Sequence, residues 1–173
     1  YLGREYMYGH KWDECIRTLL TYLRLPNAHW KEERSAAMRL IAQAYQEKKN
    51  YKWAYQWYFK AIGECPEMRD AYIEFARAAY QLADWPTVYY MSISALKITD
   101  KSSSFVNMGY AWDNTPYDLL AISCYYLDMM DVSEASIRRA LEFEPENNRL
   151  KNNLMLILEK KKTFFDKKNN NPA

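Results

Sequence analysis

Between Arg39 and Pro66 small and large apolar residues recur at helical spacing: Ala42, Tyr45, Tyr51, Ala54, Tyr58 and Ala61, with a polar turn around Asn50. This spacing predicts two amphipathic helices, about 33–48 and 51–64, that cross closely where the small residues meet. The pattern repeats along the chain. Moving 34 residues on, Ala42 maps to Ala76, Tyr51 to Trp85, Ala54 to Val88, Ala61 to Ala95 and Ile62 to Leu96. Moving 39 back, Ala42 maps to Gly3, Tyr45 to Tyr6, Tyr51 to Trp12, Ala54 to Cys15 and Ile62 to Leu23. From the third unit, 45 forward, Ala76 maps to Ala121, Trp85 to Met130, Val88 to Ser133, Ala95 to Ala140 and Leu96 to Leu141.

A period of 34 residues with paired helices resembles the tetratricopeptide repeat. The excesses of 5 and 11 residues over that period belong in connections between units. The expected fold is all-α, a tetratricopeptide superhelix of about four helix-turn-helix units plus a C-terminal capping helix. One domain is expected over 1–166, with units at about 1–29, 33–68, 69–100 and 115–145, a capping helix at 146–166 and a disordered tail at 167–173. The first unit begins inside its own first helix, so Tyr1 is expected to be an internal boundary of a longer chain.

Local signals refine these units. Helices are predicted at about 2–9 and 12–24, with Gly9 ending the first and Pro26 stopping the second. Asn50 and Asp84 are expected N-caps, the latter followed by Trp85 and first-turn Pro86. Helices at 69–82 and 85–98 make the third unit, and 116–128 and 131–143 the fourth, opened by Thr115 as cap and Asp118 as capping-box acid. Trp30, in the connection PNAHWKEER, is expected to pack across the joint between two units. The segment 99–115 has a Ser-rich first part, expected to be mobile, then Phe105, Met108, Tyr110 and Trp112, too apolar for a plain linker. Trp112 is expected to dock on the fourth unit or to cover the end of a groove.

Composition narrows the function. Four Gly and six Pro in 173 residues suit helices, and a net charge of +2 gives no electrostatic case for nucleic acid. No run of 18 apolar residues predicts a transmembrane helix. Cys15, Cys65 and Cys124 are odd in number and far apart, so a disulfide framework or zinc site is not expected, and a reducing, cytoplasmic setting is. No Gly-rich phosphate loop, GxSxG or HExxH is present, so the chain is not expected to be an enzyme and no cofactor is expected in it. From Glu146 to Lys168 seven basic residues face three acidic ones, which reads as a solvated capping helix. The competing reading is a membrane-surface or nucleic-acid contact helped by Phe164 and Phe165.

In a helical solenoid the first helix of each pair lines the concave face. The expected core takes Met38, Ile41, Ala42 and Tyr45, then Tyr72, Phe75 and Ala76. The stripe turned away from it is Arg39, Gln43, Gln46, then Ile73, Arg77, Tyr80, then Asp118, Ile122, Tyr125, with Arg4 and Tyr8 extending it backward. Candidate partner-binding residues are Arg39, Gln43, Gln46, Arg77, Tyr80, Asp118 and Tyr125, with Tyr110 and Trp112 from the loop. Their mixture of Arg, Gln and Tyr suits an extended peptide or a neighbouring domain. Tetratricopeptide modules that clamp a C-terminal carboxylate use Lys and Asn here, whereas this chain has Arg39 with Gln43 and Ile73 with Arg77, so a carboxylate clamp is not expected.

The order YLGREYMY…WDECIRTLLTYLRLP, HWKEERSAAMRLIAQAY, YKWAYQWYFKAIGECPEMRDAYIEFA and AWDNTPYDLLAISCYYL also resembles the tetratricopeptide region that follows the catalytic domain of bacterial family 2 glycosyltransferases, over roughly 1–150. Its most distinctive piece is Ala111, Trp112 and Pro116 to Ala121. The resemblance implies an accessory module that recognises acceptor or dimerises the enzyme. It also implies a nucleotide-sugar and a divalent metal for an attached catalytic domain only. The alternative is a free-standing adaptor or peptide-sensing regulator.

Overall fold

The computed structural model describes residues 2–170, with side chains to Thr163, and among these every regular element is helical. Four hairpins follow one another: α1 (Leu2–Tyr8) with α2 (Trp12–Leu23), α3 (Lys31–Glu47) with α4 (Tyr51–Glu64), α5 (Arg69–Gln81) with α6 (Trp85–Leu96), and α7 (Thr115–Tyr126) with α8 (Met130–Phe143). α9 (Asn148–Asn170) packs on α8. Besides each consecutive pair, α1 touches α3, α3 touches α5 and α5 touches α7. The odd-numbered helices α1 to α7 therefore form an inner row, backed by α2, α4, α6 and α8. This is the expected all-α superhelix. Its last helix continues to Asn170, through residues 167–170 of the segment expected to be disordered, and 171–173 lie outside the described residues.

The repeating small residues sit where the helices cross. Gly3, Ala42, Ala76 and Ala121 on the inner helices are buried, and so are Cys15, Ala54, Val88 and Ser133 on the outer ones. At the first crossing a Cβ on Gly3 would fall 2.5 Å from Leu19 Cδ2, so α1 closes on α2 at the separation that glycine permits. At the fourth, Ser133 replaces an apolar residue, and its hydroxyl donates to the Ala121 carbonyl at 2.7 Å. A hydroxyl in a dry seam is tolerated when it finds such an acceptor.

Each hairpin turns the same way. His10, Lys49, Ala83 and Asp128 have φ of 54–59°, each two residues past the end of an inner helix. The next amide in each case reaches back across the last turn, as Lys11 N to Tyr6 O (2.9 Å), Asn50 N to Tyr45 O (2.9 Å), Asp84 N to Ala79 O (3.0 Å) and Met129 N to Cys124 O (2.9 Å). These are Schellman closures built without glycine. Gly9, expected to end α1, is not the left-handed residue; His10 is.

Two caps form as read from the sequence. Asn50 accepts from Trp53 N, and Asp84 Oδ1 accepts from Thr87 N at 3.3 Å while Oδ2 accepts from the Tyr55 hydroxyl at 3.2 Å. Asp84→Ala is expected to lower unfolding free energy by about 1–2 kcal/mol in urea titration, since it removes the cap and the Tyr55 acceptor together. The third cap differs from expectation. Thr115 N donates to Asp113 Oδ1 at 2.8 Å, and the Asp118 carboxylate turns away from the helix start to Arg149 (2.7 Å) and Asn153 (3.5 Å) of α9.

Arginines fasten the connections. Arg34 donates to Glu64 and to the carbonyls of Leu23 and Ala28, holding the first connection against α4. Trp30 lies 42% exposed with its ring edge-on to Phe105 at 5.3 Å, so its partner is the long connection between α6 and α7 rather than the joint nearest in sequence. In that connection Asn107 Nδ2 donates to the carbonyls of Ser102 (2.7 Å) and Ser104 (2.9 Å), folding the Ser-rich part onto itself, and a 3₁₀ turn follows at Gly109–Ala111. Two lysines of α9 are spent on the fourth hairpin: Lys160 meets Asp128 (2.8 Å) and the Tyr125 carbonyl (2.5 Å), and Lys161 meets Asp131 (2.7 Å) and Glu134 (2.9 Å). The side chains of Phe164 and Phe165 lie outside the described residues.

Candidate functional site

The inner row leaves a groove that runs from α1 over α3 to α5, and the long connection closes one side of it. Its larger part is a cavity of about 520 Å³ between α1, α2, α3 and the loop segment 105–108. On α3 it is lined by Glu33, Ala36, Ala37 and Leu40, which recur at i, i+3, i+4 and i+7 and so share one helix face, with Gln43 one turn on and Arg39 beside them. The smaller part, about 210 Å³, continues over α5 and is lined by Gln43, Gln46, Arg77, Gln81 and Tyr110 among others. Met7, Gln43 and Glu74 border both parts and make them one groove.

A buried charge cluster forms the floor. Arg39 Nη1 lies 2.6 Å from Glu74 Oε1 and 3.6 Å from Asp70 Oδ1, and Nη2 donates to the Val106 carbonyl at 3.1 Å. Glu74 also accepts from the Tyr110 hydroxyl (2.7 Å) and from Gln43 Nε2 (2.9 Å), and Met108 N donates to Asp70. Arg39, Asp70 and Glu74 are 4%, 0% and 6% exposed. Burial pulls the Arg39 guanidinium down, but Glu74 and Asp70 outweigh it and hold it above the ordinary arginine value. Burial, then the Glu74 carboxylate, pushes the Tyr110 phenol up. Higher in the groove, burial and then the hydrogen bond to Glu33 (2.9 Å) push Tyr22 up to about 12.

The nine candidate residues separate into two sets. Gln43, Gln46, Arg77 and Tyr110 line the groove, with Arg4 and Tyr8 at its α1 end. Gln46 donates to Gln81 at 2.8 Å and accepts from Tyr58 at 3.2 Å, while Arg77 is exposed and lies over the Tyr110 ring at 4.9 Å. Arg39 borders the groove too, but as a buried pin between α3, α5 and the loop rather than as an exposed contact. The others lie elsewhere. Tyr80 is 43% exposed and edge-on to Trp85 at 5.7 Å; Asp118 is buried under Arg149; Tyr125 packs under Lys160, 4.3 Å from its ring. Ile73, placed on the same stripe, is fully buried. Trp112 docks in the joint of α5 with α7, its ring 4.0 Å under the Arg69 guanidinium and packed with the cluster that contains Leu119.

On α3, Arg39 and Gln43 border the larger part and Gln46 the smaller, while the sequence reading left out Glu33, Ala36, Ala37 and Leu40. A usable signal was present in Glu33, Ala36, Leu40 and Gln43, a half-polar, small-residue face at helical spacing. Phe105 and Met108 were noted as apolar, but nothing local tells that they face α1 across the groove. Among the described residues no three His, Cys, Asp or Glu side chains gather as a metal site requires, and no helix is long and apolar enough to cross a membrane.

No family model matches the chain, and no curated protein matches it. Solved structures do. The Arabidopsis OM64 TPR domain superposes with a TM-score of 0.60 at 20% identity, over 74% of this chain and 97% of that one. The first TPR of Spaghetti (RPAP3), bound to the HSP90 peptide SRMEEVD, superposes with a TM-score of 0.61 at 17% identity, over 74% of this chain and 93% of that one. The fold is therefore of the tetratricopeptide type.

Proposed function

We propose that this chain is a non-catalytic interaction module that holds an extended peptide or protein segment in its inner groove. The observation that carries the reading is the continuous groove over α1, α3 and α5, rigidly floored and open to solvent, with Gln43, Gln46, Arg77 and Gln81 along its course. Amide and guanidinium groups on a preformed concave surface offer hydrogen bonds to a peptide backbone at low ordering cost. The RPAP3 neighbour shows that this fold can hold a peptide. The groove reading favours an adaptor or peptide-sensing role. A further attachment to a family 2 glycosyltransferase rests on the resemblance of the quoted segments, and the comparisons add nothing to it. Cys15, Cys65 and Cys124 are unpaired and buried, which suits a cytoplasmic setting.

The test is binding to an arrayed library of decapeptides spanning acidic, basic and neutral classes, followed by calorimetry on the hits. Leu40→Glu, which sets a charge into the groove from a half-buried position, is expected to weaken binding by at least about tenfold. Tyr90→Ala, on the outer row, should leave affinity unchanged. An array with no hits, or hits indifferent to Leu40→Glu, would remove the groove from the account.

A further inference from the structure

The two parts of the groove differ in chemistry. Around the larger one stand Leu2, Met7, Leu19, Leu40, Phe105 and Met108, a space of about 520 Å³ that accommodates several bulky side chains. Its rim carries one charge of each sign: Arg4, which donates to the Tyr8 hydroxyl at 2.9 Å, and Glu33, which accepts from Tyr22. On the floor one guanidinium, Arg39, faces two carboxylates, Asp70 and Glu74, so the buried cluster carries one negative charge in excess. A carboxylate entering here would shed its water next to a negative floor whose cation is already engaged.

The wall opposite α1 is the long connection, and three bonds set it in place: Arg39 to the Val106 carbonyl, Met108 N to Asp70, and Tyr110 to Glu74. Phe105, 68% exposed, and Met108 thus stand as fixed apolar surfaces, ordered before any partner arrives. Resting on the groove reading above, we infer that the larger part selects an extended, uncharged segment anchored by bulky apolar side chains, and turns away acidic segments such as SRMEEVD. The connection between α6 and α7 is the element that sets this selectivity.

Two panels separate the inference from the reading beneath it: end-blocked neutral decapeptides carrying paired Leu, Phe or Met, and acidic peptides with free C-termini, SRMEEVD among them. The expected result is that the neutral panel binds at least about tenfold more tightly than the acidic one. Phe105→Ala should weaken the neutral hits by several fold, and Tyr90→Ala on the outer row should retain them, with circular dichroism confirming that each variant folds. Acidic peptides binding as tightly as neutral ones would overturn the inference while leaving the groove as a peptide site. Binding by neither panel would overturn both. Self-association that Leu40→Glu abolishes would make the occupant a second copy of the chain, which also overturns it.

Discussion

Arg39→Ala lowers the free energy of unfolding by about 3–5 kcal/mol, the cost of leaving buried charge without its partner. The substitution strands Asp70 and Glu74, 0% and 6% exposed, both of which pair with this guanidinium. It also frees the Val106 carbonyl. Arg39→Lys is expected to recover only part of the loss, because one ammonium cannot reproduce a planar fork that serves Glu74 and Val106 at once. Urea titration reads both effects. A loss below about 1 kcal/mol for Arg39→Ala would match a solvent-screened pair instead and would mean that water reaches the cluster.

Phe75→Ala carries a comparable cost for a different reason. The ring is fully buried where α5 meets α4, and three others surround it: Tyr55 at 4.6 Å, Phe59 at 4.8 Å and Tyr58 at 5.4 Å between centroids. Truncation removes apolar burial and leaves a cavity between two hairpins, for about 3–5 kcal/mol, with further loss from the edge-to-face and stacked pairs. Phe75→Leu should cost less, since it fills most of the space. Equilibrium denaturation measures the difference. An alanine variant that loses under about 2 kcal/mol would show that the neighbouring rings collapse into the gap.

The hairpins were legible because crossing helices constrain small residues locally. The positions equivalent to Ala42 and Ala54 announce the seam in every unit, and all of them are buried. Asn50 and Asp84 are legible for the same reason, since a cap concerns only the next three residues. The groove was not legible to the same degree. A charged residue read alone looks solvated, and Arg39, Asp118, Lys160 and Lys161 are paired with groups 27 to 35 residues away. Periodicity fixes the rotation of a helix to within about one residue, or 100° on a 3.6-residue turn. That interval separates Leu40, half-buried on the groove, from Arg39, which borders the groove as a buried pin. Trp112 was expected on the fourth unit and packs with the cluster that holds Leu119, but its Arg69 partner, far back in sequence, was not legible.

Stacked helical hairpins ordinarily feel only their neighbours, so such a chain can unravel from an end while the middle stays folded. The bond from Arg39 to the Val106 carbonyl spans 67 residues and crosses over the third hairpin. It closes a circuit through α3, α5 and the long connection, which then lose their order together. The part of the surface made by α3, α5 and the wall is thereby expected to be lost as one piece, while α1, outside the circuit, can fray alone.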